Sequence, residues 1–141
     1  MIVGMNLKDI HIGRIIEHRM DELQISYERA EKFLQCSEKD IKMMYKQSSI
    51  DTYLLLRWSK LLEYDFFRLF SGHILLYAPS QNVKTVLPVE NKLPVFRKHI
   101  YTEEVKVFIL EKITTKQMTP QEVSLTYRIP KTTLYKWIKK K

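Results

Sequence analysis

The stretch TPQEVSLTYRIPKTTLYKWIKK, residues 119–140, contains both a helix start and a helix break. Thr119 can cap a helix whose first residue is a proline, and Glu122 is placed to bond back to the backbone of the cap. Pro130 disfavours helical geometry at the residue before it, so this helix should end by about Arg128. Apolar residues at helical spacing resume directly after the proline. The stretch therefore predicts two short helices joined by a tight corner.

A third helix is predicted just before this pair. Thr102 can cap it, and glutamates in its first turn with lysines toward its end complement the helix dipole. Its buried stripe should consist of Val105, Phe108, Ile109 and Ile113. In the final helix the residues expected to face inward are Leu134, Trp137 and Ile138. We assign Trp137 to the core, because a tryptophan at an inward helical position is more often core than a stacking partner for a base.

The first half of the chain predicts five short helices. The first covers about residues 10–23, where apolar residues recur at helical spacing. Ser26 can cap the second helix, and Ser37 with Asp40 has the pattern of a capping box at the start of the third. Ser49 can cap the fourth, and a fifth should lie around Phe66 to Phe70. These helices predict a compact bundle.

The whole chain is expected to be all-α. Only 3 glycines and 5 prolines occur among 141 residues, and helix-forming residues dominate. Three of the prolines lie in residues 79–98, where neither a helical nor a strand period is sustained. We predict a helical domain at residues 1–78, a semi-rigid linker at 79–98 and a three-helix domain at 99–141.

The positive charge of the chain lies in its second half. Residues 1–78 contain 11 Lys and Arg and 11 Asp and Glu, whereas residues 79–141 contain 13 and 5, which gives the net charge of +8. This asymmetry favours a polyanion such as nucleic acid as the partner of the second half, although a basic tail can also serve only as a solubilising surface.

Composition and motifs argue against several other classes of protein. The single cysteine, Cys36, excludes an intramolecular disulfide, and the N-terminus lacks a signal-peptide pattern, so we expect a cytoplasmic protein. The most apolar stretch, residues 66–77, is too short and too polar to cross a membrane. His11 and His18 lack the accompanying ligands of a metal site. No arrangement of a nucleophile with a base, or of paired carboxylates, indicates an enzyme, so we expect no catalytic residue, metal or cofactor.

The segment YTEEVKVFILEKITTKQMTPQEVSLTYRIPKTTLYKWIKK, residues 101–140, resembles the N-terminal helix-turn-helix of insertion-sequence transposases. Val123, Ile129 and Leu134 match apolar positions of that motif. We do not expect a transposase proper, because the acidic catalytic domain that follows the motif in that family is missing from this sequence. The resemblance therefore implies recognition of double-stranded DNA, in transcriptional regulation or in association with a mobile element, rather than transposition.

Two positions depart from the pattern of this family. Ser124 stands where the family usually has alanine, and Arg128 where it prefers glycine, so either Arg128 adopts a left-handed conformation or the turn differs. The resemblance, together with the basic character of the segment, implies DNA contacts at Arg128, Lys131, Thr132, Thr133, Tyr135, Lys136, Lys139 and Lys140. The last two lysines can instead simply fray at the end of the helix.

The segment IGRIIEHRMDELQISYERAEKFLQCSEKDIKMMYKQSSIDTYLLLRWSKLLEYDFFRLF, residues 12–70, resembles the phage-repressor type of helix-turn-helix. Its motif positions are Leu34, Cys36, Ser37, Ile41 and Met44. It departs from the type in having Glu31 for a small residue, Gln35 for the turn glycine, and Glu38 and Asp40 at the start of the would-be reading helix. These acids oppose phosphate binding. The half either makes weaker backbone contacts through Lys39, Lys42 and Lys46, or serves in dimerisation or protein contact.

A different class of function also fits the sequence. Both helical domains could bind protein, as in an antitoxin-like partner or a scaffold. The basic C-terminal end would then have no role in binding. A homodimer formed through the N-terminal domain is a further expectation, because the apolar residues Ile74, Leu75, Leu76 and Tyr77 run past the expected fifth helix.

Overall fold

The computed structural model describes residues 6–78, 92–94, 96 and 100–140. Within these residues all regular secondary structure is α-helical, so the predicted all-α class is confirmed. The helices are α1 (Ile12–Leu23), α2 (Tyr27–Leu34), α3 (Glu38–Tyr45), α4 (Thr52–Leu61), α5 (Phe67–Tyr77), α6 (Glu103–Thr114), α7 (Pro120–Tyr127) and α8 (Lys131–Lys139).

The described residues form two compact units. One unit is Asp9–Leu69, which contains α1 to α4 and the start of α5. The other contains residues 6–8 and the described residues from Phe70 onward. The division thus falls inside α5, which differs from the expected boundary after residue 78. The expected linker, residues 79–98, lies outside the described residues except at 92–94 and 96.

The first unit is held together by a close approach of α1 to the end of α3. The backbone N–H groups of Ile12 and Gly13 donate to the carbonyl oxygens of Ser48 and Gln47, each at 3.0 Å. A Cβ at Gly13 would collide with backbone carbonyl oxygens at this crossing, so the position requires glycine. The side chains buried most completely in the unit are Ile12, Ile16, Ile41, Trp58, Leu62 and Phe66.

Helices α2 and α3 are joined by a three-residue turn. Ser26 accepts a hydrogen bond from the Arg29 N–H at 3.2 Å, as expected for the cap of α2. The capping box of Ser37 and Asp40 at the start of α3 is confirmed, with each residue bonding the backbone N–H of the other. Gln35, in the turn, has a φ of 56°, in the left-handed region.

The start of α4 differs from the prediction. The cap is Asp51 rather than Ser49, because the Asp51 carboxylate accepts hydrogen bonds from the N–H groups of Tyr53 at 2.7 Å and Leu54 at 3.1 Å. A carboxylate that satisfies two free N–H groups at a helix start is a strong cap. The fifth helix is also longer than predicted, because α5 continues beyond Phe70 to Tyr77.

The end of α5 packs within the second unit. The backbone of Gly72 is so close to Leu7 and Val105 that an added Cβ would lie 3.0 Å from a Leu7 methyl and 3.3 Å from a Val105 methyl. Tyr77 contacts the ring of Phe108 on α6, with 5.8 Å between ring centroids. These contacts place the second half of α5 with the C-terminal helices.

Candidate nucleic-acid interface

Helix α7 begins where the sequence predicts it. The Thr119 hydroxyl accepts a hydrogen bond from the Glu122 N–H at 3.2 Å, and the Glu122 carboxylate accepts one from the Thr119 N–H at 3.4 Å. Pro120 occupies the first helical position, where its missing N–H costs nothing. The predicted capping box is therefore confirmed, and α7 is fixed at eight residues, Pro120–Tyr127.

The corner between α7 and α8 consists of three residues, Arg128, Ile129 and Pro130. Arg128 has φ 56° and ψ 41°, so it adopts the left-handed conformation itself rather than changing the turn. A residue with a side chain pays about 1 kcal/mol or more for this conformation. Ile129 points inward and is 1% exposed. The corner is therefore anchored by one buried side chain between two exposed residues.

A hydrogen bond that the sequence did not reveal also holds the corner. The Ser124 hydroxyl on α7 donates to the Ile129 carbonyl oxygen at 2.8 Å. The alanine that the transposase family usually has at this position could not make this bond. Because a carbonyl group near the core needs a partner, Ser124 stabilises the turn that sets the direction of α8.

The core beneath α8 is built around Leu134. Leu134, Val123 and Ile129 are buried, as expected from the motif positions, and so are Val105, Ile109 and Tyr127. Burial raises the pKa of the Tyr127 hydroxyl, and the nearby Tyr77 adds to this shift. The core of this three-helix group is therefore apolar apart from the Tyr127 hydroxyl. The raised pKa favours the neutral form of this hydroxyl.

The structure corrects the prediction that Trp137 is a core residue. Trp137 is only partly buried, as is Ile138, because α8 directs Leu134 at the core and Trp137 lies about 60° away around the helix. The Trp137 ring meets Tyr101 edge-on, with centroids 5.1 Å apart, and the Lys106 nitrogen lies 5.9 Å from its centre. Phe108 and Ile113 of α6 are likewise only partly buried.

Seven of the eight sequence-predicted contact residues of α8 and its corner are exposed, and the surface that they form is here called the α8 face. Because successive helical residues are about 100° apart, positions 131, 132, 135, 136, 139 and 140 cover about half of the helix circumference. Thr133 lies outside this arc and is partly buried, so it is less available than the others. The α8 face consists of the exposed residues Arg128, Lys131, Thr132, Tyr135, Lys136, Lys139 and Lys140.

The charge of the α8 face is not neutralised within the described part of the chain. Its five cationic side chains form no ion pair with any described carboxylate, and α8 itself contains no acidic residue. Tyr135 is 52% exposed among these cations. The face thus offers several unpaired positive charges next to a hydroxyl and a phenol that can reach a ligand.

Helix α3, which follows the three-residue turn after α2, presents a different surface. Lys39, Lys42 and Lys46 are exposed, but Lys42 lies 4.0 Å from the Glu38 carboxylate and 5.5 Å from the ring centre of Tyr27. Hydrogen bonds from the backbone and side chain of Ser37 lower the pKa of Asp40, so its carboxylate stays charged. The cations of α3 are therefore offset by two acids at its first turn.

His11 and His18 each have a partner close in sequence. His11 caps α1 by accepting the Arg14 N–H at 3.2 Å, and the ring of His18 lies 3.0 Å from the Glu22 carboxylate. Cys36 is partly buried in the α2–α3 turn, and burial followed by the charges of Asp40 and Glu31 raises its pKa. Among the described residues, no three His, Cys, Asp or Glu side chains come together as a metal site.

No helix in the described ranges combines the length and the apolar character needed to span a bilayer. Comparison with known proteins adds no relative, since no protein-family model, curated protein or solved structure matches this chain.

Proposed function

We propose that this chain binds double-stranded DNA, and that α7 and α8 form a helix-turn-helix whose second helix enters the major groove. One observation carries the proposal: the α8 face holds five cations that have no partner among the described residues, and α8 has no acid to offset them. Binding to phosphates releases condensed counterions, which is the main source of affinity for such a surface.

The residues of the α8 face divide into two roles. Arg128, in the corner, and the lysines of α8 contact phosphates and fix the position of the helix on the duplex. Thr132 and Tyr135 lie in the first half of α8, the part of a reading helix that approaches base edges. Their uncharged, exposed side chains supply the hydrogen bonds and apolar contact that discriminate bases. In biological terms, the proposal is a transcriptional regulator or a DNA-recognition protein associated with a mobile element.

The first unit is proposed to keep the repressor-like helix-turn-helix in α2 and α3 without contributing much DNA affinity. Glu38 and Asp40 would face phosphates, and each such charge costs about 1 kcal/mol at 4 Å even in water. Protein contact is the second candidate function for this unit. The observation favouring it is its exposed apolar side chains, with Met43 54%, Tyr53 67% and Leu56 43% accessible.

The proposed homodimer has a smaller apolar surface than the sequence indicated. Leu75 and Leu76 are buried, which leaves Ile74, 59% exposed, and Tyr77, 38% exposed, from that run. Sedimentation of the full chain at micromolar concentration tests the idea directly. For a dimer, the measured mass should be twice the 17.0 kDa of one chain. A monomeric mass would rule out the proposed homodimer.

Binding of the full chain to a labelled duplex over a range of salt concentrations tests the DNA-binding proposal. Five phosphate contacts predict a slope of about −4.5 for log K against log salt. Between 50 and 200 mM salt, affinity should then fall by about 500-fold. The absence of any binding at 50 mM salt would rule the proposal out, and a slope near zero would show that the basic face does not meet phosphate.

A further inference from the structure

A groove lies between α6 and α8 and shares Lys136 and Lys140 with the contact surface expected from sequence. Its volume is about 310 Å³. A groove of this volume can hold several water molecules, so it has room for a group of a ligand. It is therefore large enough to hold a part of a partner molecule, and its lining determines which kind.

The rim of the groove is positively charged. Lys106 from α6 and Lys136 and Lys140 from α8 line it, with Glu103 as the opposing carboxylate. The Lys106 nitrogen lies 3.6 Å from a carboxylate oxygen of Glu103, whose side chain is 79% exposed. Such an exposed ion pair contributes little stability. An incoming phosphate can therefore replace Glu103 as the partner of Lys106.

The wall of the groove is apolar and held in place. It is formed by Val107, Leu110 and Trp137. The indole of Trp137 is supported by the edge-on contact with Tyr101 at 5.1 Å. In the DNA backbone, each deoxyribose ring presents C–H groups and is joined to a phosphate group at both its 3′ and its 5′ end. An apolar wall with a cationic rim matches this combination better than it matches a free phosphate ion.

We propose that this groove holds one sugar–phosphate unit of the DNA backbone beside the major groove that α8 enters. The inference rests on the proposed function and adds Lys106, which lies outside α7 and α8, to the DNA contacts. Lys136 and Lys140 belong both to the α8 face and to the groove, so the positive strip is continuous from one to the other. A DNA backbone that follows the α8 face continues into the groove. An acidic peptide could bind the groove without contacting the α8 face.

The test compares two lysine substitutions on α6 in the full chain. Lys106→Gln removes the proposed phosphate contact. Lys112→Gln is the matched control, because Lys112 lies about 120° further around the same helix and its nitrogen bonds the Gln117 side chain at 3.2 Å. Both variants lose one positive charge from the same element. Any general effect of net charge on DNA binding is therefore equal in the two.

The measured quantities are duplex affinity at 0.1 M salt and its salt slope. Because affinity scales with salt concentration to about the power −0.9 per contact, Lys106→Gln should weaken binding about eightfold and reduce the slope by about 0.9. Lys112→Gln should leave both within twofold of the original chain. Glu103→Gln should strengthen binding severalfold, because it removes the competing carboxylate; this variant also keeps the test valid if Lys106→Gln proves unstable.

The outcomes separate this inference from the function on which it rests. Equal effects of the two lysine substitutions, or none from either, would overturn the groove site while leaving DNA binding by α8 intact. If the original chain binds no duplex, the proposed function and the groove site both fail. Loss of binding to an acidic peptide in Lys106→Gln, with duplex affinity unchanged, would reassign the groove to protein recognition.

Discussion

Replacement of Arg128 by glycine should change stability and DNA affinity in opposite directions. Arg128 has a φ of 56°, a conformation that costs a residue with a side chain about 1 to 2 kcal/mol and costs glycine almost nothing. Glycine also makes the unfolded chain more flexible, which reduces the gain in the free energy of unfolding by about 0.5 to 1 kcal/mol. The expected net gain is about 0.5 to 1 kcal/mol in the free energy of unfolding of the second unit.

This gain should appear as a rise in the melting temperature of about 2 to 8 °C in a thermal scan followed by circular dichroism. The same substitution removes a cation from the corner that precedes α8. Duplex affinity at 0.1 M salt should fall about eightfold, and the salt slope should decrease by about 0.9. A more stable chain that binds DNA more weakly is thus the expected signature of Arg128 as a phosphate contact.

Gln35→Gly is the matched control for this experiment. Gln35 has the same φ of 56° at the corresponding corner between α2 and α3, but it carries no charge. It should therefore give a similar rise in melting temperature without any change in the salt slope. A lower melting temperature for Arg128→Gly would contradict the strain at this corner, and a salt slope equal to that of the original chain would contradict the phosphate contact.

Three further predictions test separate parts of the structure. Lys136→Glu should weaken duplex binding by at least eightfold at 0.1 M salt without changing the melting temperature, while Lys39→Glu on α3 should have less than a twofold effect; the reverse order would move the interface to α3. Ser124→Ala should lower the free energy of unfolding by about 1 kcal/mol, because it leaves the Ile129 carbonyl without its partner, and an unchanged denaturation midpoint in urea would contradict the role of that bond. The pKa of Tyr127 is raised by burial, so its stabilising contribution is complete below about pH 10 and is lost as the pH rises through the higher folded-state value. Tyr127→Phe should therefore reduce the alkaline loss of stability above pH 10, and identical alkaline titrations of both chains would refute this.

The features that sequence predicts well here are local ones. Thr119, Pro120 and Glu122 specify the start of α7 within four residues, and the structure has the predicted pair of hydrogen bonds. The same is true of the capping box that opens α3. Leu134 was also predicted correctly, because it lies at the centre of the apolar stripe of α8. Each of these depends only on neighbours within one or two helical turns.

The features that sequence did not predict depend on distant neighbours or on choices between similar residues. The burial of Trp137 is set by how α6 crosses α8, which the pattern of α8 alone does not contain. The bond from Ser124 to Ile129 requires the turn geometry to be known first. Ser49 and Asp51 are both good caps, and only the path of the chain decides between them. The position of the end of α5 depends on contacts with residues far along the chain, such as Val105.

We propose that α8, rather than α3, meets DNA. The most direct measurement is an amide NMR titration of the full 141-residue chain with a duplex at low salt. DNA contact through α8 predicts that the largest shifts fall in residues 128–140, with a second group around Lys106. Shifts confined to residues 35–46, with residues 128–140 unmoved, would contradict it.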